Sequence, residues 1–423
     1  MAMQVGAVLM LEAGERLDPG LVVDAIARRA AGVPRLRQRL VTVPWGCGRP
    51  VWVDDRDFSP TNHFSVCRSP APCGEAAVLG VAAEMLATRL PRDRPLWAAK
   101  LVTGVGDGSA ALIVVFHHVL ADGMGGLAVL ASLVDGAARH PGPGSTFPVP
   151  MPSLRRLAVQ SATDHLRSAT GLPAALYRLG GAASQLRPLF GERLARSSLN
   201  RPTGPKRRFA SVNVDLDPIR EAAHAHQGTV NDVVLSAIAA ALHRLLEIRG
   251  ERVDEFVISV PFSARRHASA GDLGNQSGVI PIPVRGVGEP GQRLEALADI
   301  TRVAKNAQRG ASTALLSPFF RLLAGAGLFR WFIDRQRAIH TFVSNLRGPE
   351  YRLTFLRCPV TCIIPLSGAS GNVTVSFAVL SYAGSLVITL VADPDTCPDL
   401  SQLRELLAEE LSALTASAER LPG

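Results

Sequence analysis

Residues 116–126 read FHHVLADGMGG, and the fold turns on how that stretch is read. The apolar run of Ala110–His117 predicts a buried strand that closes on two adjacent histidines. Asp122 follows, then Gly123, Gly125 and Gly126, before what reads as a helix over Gly125–Ala138. Neighbours on a strand face opposite sides, so one of His117 and His118 faces a given cleft unless the strand has already ended. An imidazole titrates near neutrality and can accept a proton there. Asp122, one tight turn on, is placed to fix the local geometry. The glycines permit unusual backbone angles and close approach of a ligand. The N–H groups opening the next helix favour negative charge in the same region. A lone histidine at a strand end is most often structural; the cluster is what argues for chemistry.

Outward from this stretch, Trp97–Thr103 and Ala110–His117 read as paired strands turned by Gly104–Ser109. Val5–Leu11 and Val51–Val53 read as strands and Gly74–Thr88 as a helix. Pro19–Ala31 reads as a helix capped by Asp18, with proline at its first position. Pro141–Pro152 is a linker by composition. Leu154–Leu199 reads as a largely helical crossover, and Arg201–Arg208 as a second break. The second half reads as strands at Phe209–Leu216, Glu255–Val260, Gly278–Val284, Val373–Leu380 and Ser385–Ala392. Its helices are expected after Asp217, over Thr229–Arg249 and from Asp399 to Glu419. The expected organisation is an N-terminal domain over 1–150, a helical linker over 151–208 and a C-terminal domain over 209–423. No internal repeat with a period of roughly 20–50 residues occurs.

The chain has 423 residues, 47% of them hydrophobic and 19% charged, enough to fill a divided core. The net charge of +9 comes from scattered arginines without interleaved aromatics or a nucleic-acid motif, so no nucleic-acid partner is expected. An anionic membrane surface or a phosphate-bearing small molecule fits that charge as well. The six cysteines lack metal-binding or redox spacing and read as reduced thiols. No signal peptide and no uncharged apolar stretch of about 18 residues is visible. In Leu315–Ile333, Arg321 and Arg330 interrupt the run. GMGG lacks the spacing of either phosphate-binding loop. No G-x-S-x-G elbow and no H-E-x-x-H pair occurs, so a serine hydrolase and a zinc hydrolase are excluded as readings and no metal is expected.

HHVLADG matches HHxxxDG, and with it the sequence resembles coenzyme-A-dependent acyltransferases of the chloramphenicol-acetyltransferase-like fold. Other segments are similar to the bacterial wax ester synthase/diacylglycerol acyltransferase family in particular. They are Pro95-Leu96-Trp97, the GTVNDVV start at Gly228, VPFSARR at Val260–Arg266, GNQ at Gly274–Gln276, SNLRGP at Ser344–Pro349 and SYAGSL near the C-terminus. They run in family order over essentially the whole chain. The pattern departs at Leu346-Arg347, where Val-Pro is common, which puts an arginine near the expected cleft.

The resemblance implies an α/β, two-domain chloramphenicol-acetyltransferase-like fold, with mixed sheets, flanking helices and the active site at the domain interface. It implies an O-acyltransferase moving a long-chain acyl group from acyl-CoA to diacylglycerol or a long-chain alcohol. His118 would be the general base, with His117, Asp122 and Gly123 completing the motif. Pro95, Leu96, Trp97, Asn231, Asp232, Arg265, Asn275, Asn345 and Ser381 would bind substrate or support the motifs. Arg265 is the candidate partner of Asp122, and the Asn345 region and the Ser381-Tyr382 turn are the candidate oxyanion donors. His117 either lines the acceptor channel or packs structurally. No cofactor is expected to stay bound; acyl-CoA enters as co-substrate. The expected location is cytoplasmic, with a membrane or lipid-droplet surface as the peripheral alternative.

Each motif also has a purely structural reading. Thr229–Asp232 is a capping box by pattern, Trp97 a core aromatic, SNLRGP a turn, and Arg265 a solvated residue. Two other functions also remain open. A condensation-type domain would use carrier-tethered thioesters, and the PLW, ND and GNQ segments argue against it. A non-catalytic lipid-binding member would have no chemical need of the intact histidine motif.

Overall fold

The structure, a computed structural model, describes residues 3–13, 17–106, 108–136, 147–170, 197–263, 277–308, 327–368 and 371–419. In the first half β1 (Gln4–Glu12) leads to α1 (Pro19–Gly32), β2 (Gln38–Val41), β3 (Val51–Asp54), β4 (Phe64–Arg68) and α2 (Glu75–Ala87). Then come β5 (Trp97–Gly106), β6 (Ser109–His117), α3 (Gly123–Leu133) and α4 (Leu154–Thr170). The second half opens with β7 (Arg208–Asp215), α5 (Leu216–Ala225), α6 (Val230–Ile248), β8 (Glu255–Ser263) and β9 (Ser277–Arg285). It continues with α7 (Pro290–Gln308), α8 (Phe329–Ile333), β10 (Thr341–Arg347), β11 (Thr354–Phe355) and β12 (Cys358–Leu366). The last elements are β13 (Val375–Tyr382), β14 (Ser385–Ala392) and α9 (Leu400–Glu419).

Two six-stranded sheets form, in the orders β11-β12-β1-β6-β5-β4 and β7-β14-β13-β10-β8-β9, with β2 and β3 as a separate pair. The first sheet therefore takes two strands from the second half of the chain. β1 pairs antiparallel with β12 on one side and with β6 on the other. In the second sheet β10 lies parallel to both β8 and β13.

Strand pleating sorts the first sheet into two faces. Leu112, Val114 and Phe116 of β6 pack with Val22 and Ile26 of α1 and Val129 and Leu133 of α3. Ala111, Ile113 and Val115 point the other way, into a cluster with Val78 and Ala82 of α2. Phe209, Val387 and Val391 of the second half join that cluster, so apolar packing ties the two halves together. The second sheet has its own core, where Phe377, Val379, Ile388 and Leu390 meet α6 and α9.

Local chemistry explains the ends of several elements. Asp18 accepts the Gly20 N–H at 2.8 Å and Pro19 opens α1, as expected from the sequence. α6 starts in a capping box in which Asp232 Oδ2 accepts the Thr229 N–H at 2.8 Å. α3 starts two residues earlier than the sequence suggested, because Asp122 is its N-cap, and it stops at Leu133. Beyond that end Asp135 accepts N–H bonds from Leu356 and Arg357 at 3.1 and 2.8 Å and pairs with Arg29.

SNLRGP is not the turn its composition suggests. Ser344–Arg347 lie inside β10, hydrogen-bonded to β13, and the chain leaves the strand only after Arg347. Of the expected crossover, α4 is described; residues 171–196 lie outside the described residues. No single helix among the described residues is long and apolar enough to cross a membrane. α5 and α6 pass such a test only as a pair bent by 94°, and α6 is buried in the second core.

Candidate active site

His117 is the last residue of β6, and His118 stands just beyond the strand in a turn. Both backbones are fixed. The His117 N–H donates to Leu96 C=O at 3.0 Å, and the His118 N–H donates to Met3 C=O at 2.7 Å. Leu120 N–H closes the turn onto His117 C=O at 2.8 Å. Since His118 has left the ladder, the alternation that separates strand neighbours no longer dictates its direction. His117 remains in the ladder opposite Gln4, on the face that carries Val115 and α2. Its Nδ1 accepts the Val119 N–H at 3.2 Å, which leaves the ring proton of the neutral form on Nε2. Burial, then Arg92 and His118, lowers its pKa from the ordinary histidine value.

Asp122 is buried, at 1% exposure, and its carboxylate accepts the Gly125 N–H at 2.9 Å. Its backbone carbonyl accepts the Gly126 N–H at 2.7 Å. The carboxylate thus takes one of the helix N-terminal N–H groups that sequence reasoning had left for a ligand. None of Gly123, Gly125 and Gly126 has a positive φ, so backbone freedom is not what the glycines supply. They supply space. A Cβ on Gly126 would stand 2.5 Å from the Phe116 ring, and one on Gly123 would stand 2.9 Å from Leu346 Cδ2.

That last contact brings SNLRGP to the histidine loop. Beside Leu346, Asn345 donates to Asn231 Oδ1 at 3.1 Å. Asn231 is in the first turn of α6, next to the buried Asp232 of the capping box. Ser381 lies on β13 beside Arg347, and its carbonyl accepts the Gly348 N–H at 2.9 Å. The Tyr382 hydroxyl accepts from Leu353 N–H at 2.7 Å and donates to Val360 C=O at 3.0 Å. Both its polar directions are therefore used in packing β11 and β12 against β13.

Pro95-Leu96-Trp97 acts from behind the strand. Trp97 is 2% exposed, donates from Nε1 to Leu36 C=O at 2.7 Å and stacks on His63 at 4.6 Å. It is a core aromatic, paired across the ladder with Phe116, while the Leu96 carbonyl holds His117. Arg265 and Asn275 lie outside the described residues. Sequence reasoning missed Met3 and Gln4, and it singled out Leu346-Arg347 for the arginine and not for the leucine that meets Gly123. The first two matter through backbone position, which residue type does not reveal; the Gly123–Leu346 contact joins sites far apart in the chain.

The arrangement offers an imidazole held at the meeting of two halves, with a capped helix start beside it. Among the described residues, no group of three His, Cys, Asp or Glu gathers to hold a metal ion.

Residues 1–234 match the wax ester synthase/diacylglycerol acyltransferase catalytic domain, and residues 273–415 match the WS/DGAT C-terminal domain. A probable diacylglycerol O-acyltransferase, tgs1 of Mycobacterium tuberculosis, is 29% identical over 433 residues, covering 99% of this chain and 92% of that protein. The wax ester synthase/diacylglycerol acyltransferase from Marinobacter aquaeolei superposes with a TM-score of 0.71 at 23% identity, over 99% of this chain and 95% of that one. The first condensation domain of the calcium-dependent antibiotic synthetase superposes at 0.61 with 19% identity, over 100% and 94%. These likenesses show the fold, a two-domain chloramphenicol-acetyltransferase-like architecture shared by acyltransferases and condensation domains.

Proposed function

The chain belongs to the wax ester synthase/diacylglycerol acyltransferase family, and on that premise we propose that it transfers a long-chain acyl group from acyl-CoA to a lipid hydroxyl. The acceptor is diacylglycerol or a long-chain alcohol, giving triacylglycerol or a wax ester. The observation that carries this reading is the placement of His118 just past the end of β6, its backbone tied to Met3.

In the proposed mechanism His118 Nε2 takes the proton of the acceptor hydroxyl. The acceptor oxygen attacks the thioester carbonyl, forming the new C–O bond and a tetrahedral oxyanion. Collapse breaks the C–S bond, and the protonated His118 returns the proton to the leaving thiolate. One base serves both half-steps, so no acyl-enzyme is required. Asp122 contributes by holding the turn and the α3 start in register rather than by touching substrate. The oxyanion requires a donor; the Asn345 amide, which also donates to Asn231, and Ser381 are the candidates retained, since both polar directions of the Tyr382 hydroxyl are committed elsewhere.

A lipid acceptor calls for work at a lipid surface. Leu154, Val159 and Leu166 of α4 are exposed at 49%, 58% and 67%, with Arg155 and Arg156 beside them. Arg155 lies on the same side of α4 as Val159 and Leu166, so this surface suits electrostatic contact with an anionic interface more than insertion of an apolar face.

The test is incubation of the purified protein with radiolabelled palmitoyl-CoA and either hexadecanol or dioleoylglycerol, beside His118→Ala. Labelled ester from wild type, reduced about 10²–10⁴-fold in the variant, is the expected result. Undiminished turnover by His118→Ala would overturn the mechanism. Transfer from acyl-carrier protein but not from acyl-CoA would instead support the condensation-type reading that the fold shares.

A further inference from the structure

α3 runs from the histidine turn to a second junction of the two halves. At its C-terminal end Arg29 of α1 donates from Nη1 to Leu133 C=O at 2.6 Å, satisfying one of the carbonyls that a helix end leaves open. The same guanidinium pairs with Asp135 and lies over the Phe355 ring, 5.2 Å from its centroid. Asp135 N–H donates to Thr354 C=O at 2.8 Å, and its carboxylate accepts the Leu356 and Arg357 N–H groups at 3.1 and 2.8 Å. Just past the helix, one aspartate thus joins α1, the end of α3 and the turn between β11 and β12.

That turn needs support. Leu356 and Arg357 have φ values of 51° and 65°, in the left-handed region. Bulky residues avoid that region, and two-residue turns of this kind favour Asn-Gly. A carboxylate that takes both N–H groups holds Leu-Arg in a conformation its side chains do not prefer. From the turn a second strut leads back to the histidines. β12 starts at Cys358 and pairs with β1 from Val360 opposite Leu11 to Leu366 opposite Gly6. β1 ends at Gln4, opposite His117, and Met3 C=O takes the His118 N–H at 2.7 Å. On the other side Asp122 caps α3 directly after the histidine turn. The elements close a ring: histidine turn, α3, Asp135, the β11–β12 turn, β12 and β1.

We infer that Asp135, braced by Arg29, is a positioning residue for His118: it fixes the far ends of α3 and β1 against each other and thereby the seat of the imidazole between their near ends. The kinetic consequence rests on His118 acting as the base, as proposed above. α3 is about 16 Å long at 1.5 Å per residue, so Asp135 touches neither substrate nor the histidines and acts only through stiff elements. The ring also gives the Leu-Arg turn a reason, since it is the joint where the second half of the chain meets the helix that follows the histidine motif.

The experiment compares wild type, Arg357→Gly, Arg357→Gly/Asp135→Ala and Asp135→Asn. Glycine suits a positive φ, so in its background the turn keeps its shape without the carboxylate and the tie to α3 is what is lost. Amide hydrogen exchange is followed by mass spectrometry in peptides covering 116–122. Kinetics use palmitoyl-CoA with hexadecanol or dioleoylglycerol, below the unfolding midpoint of every protein. Relative to Arg357→Gly, the double variant should exchange the His118 and Leu120 amides about tenfold faster. Its kcat should be lower by about 10–100-fold with KM for both substrates unchanged. Asp135→Asn keeps an acceptor for the turn but loses the charge paired with Arg29, and should fall between; should the double variant not fold, it is read against wild type in the same way. Exchange at 116–122 equal to the parent, or kcat equal to it, overturns the inference, because the clasp then serves only its own turn. If wild type transfers no acyl group, the acyl-transfer reading fails by itself, and the exchange rates alone decide the positioning role.

Discussion

Asn345 Nδ2 donates to Asn231 Oδ1 across 3.1 Å, joining residues 114 apart in the chain. The partners' neighbours are committed as well. Leu346 fills the space above Gly123, and Asp232 closes the capping box with Thr229. The start of α6, strand β10 and the start of α3 are therefore fastened in series, and the histidine turn is at the end of that series.

If this amide pair fastens the series, its two ends should be coupled. Asn345→Ala and Asn231→Ala are each expected to lower unfolding free energy by about 1 kcal/mol. The double variant should lose no more than either alone, since both remove the same bond. Chemical denaturation of the four proteins in a double-mutant cycle measures this. Additive losses would show that the two amides act separately.

Gly126 and Gly123 both face occupied space, but the occupants differ. Phe116 is 3% exposed, and its Cζ would meet a Gly126 Cβ at 2.5 Å. A packed ring has little room to retreat, so Gly126→Ala should cost about 1–3 kcal/mol. At Gly123 the obstacle is the tip of Leu346, a rotatable side chain. Gly123→Ala should therefore leave the thermal midpoint closer to wild type while lowering turnover, because Leu346 must move beside the histidine turn. Equal thermal losses in the two variants would contradict this distinction.

Local signals were legible in the sequence and long-range ones were not. Thr229-Val230-Asn231-Asp232 announces its capping box because all the groups involved lie within one helical turn. Asp18-Pro19 does the same for α1, and the apolar run ending in His117 gives β6. By contrast, nothing local in Cys358–Leu366 says that β12 leaves its own half to pair with β1. Ser344–Pro349 reads as a turn because Ser, Asn, Gly and Pro favour turns; pairing of its first four residues with β13 overrides that preference. At the site, HHxxxDG marks the loop, yet the fixing of His117 by the Leu96 carbonyl and of His118 by Met3 uses backbone groups that every residue type carries.

Asp122 separates capping from charge. Its carboxylate caps α3 through Gly125 N–H from a buried position. Asn offers the same acceptor without the charge and ranks beside Asp as an N-cap. Asp122→Ala should lose about 0.5–2 kcal/mol through the cap, and because Asp122→Asn keeps that cap, any fall in its thermal midpoint measures what the charge itself contributes. Activity that follows stability through both variants would show that Asp122 acts by holding the turn. Loss of activity in a stable Asp122→Asn would show that the negative charge itself is needed.

His340 gives the fold a measurable acid sensitivity away from the site. It is 1% exposed, at the entry to β10, with Nδ1 accepting the Val257 N–H at 3.0 Å. Its Nε2 is buried without a hydrogen-bond partner among the described residues, and the ring meets Phe256 edge-on at 5.4 Å. Burial pushes its pKa down to about 4, from 6.5. Between those values the unfolded chain binds the proton that the folded chain refuses, so stability falls as pH drops through this window. The shift corresponds to about 3 kcal/mol. Asp135 and Asp399 add their losses lower down. Burial alone would raise both, but the Arg357 N–H and Arg29 outweigh it at Asp135, as Arg249 does at Asp399, and both carboxyls lie below their ordinary 3.8. Urea midpoints measured from pH 7 to pH 4 should therefore decline mainly below about pH 6.5. In His340→Gln, whose amide oxygen can still accept from Val257 N–H, that decline should flatten. The same slope in wild type and variant would mean that another group carries the sensitivity.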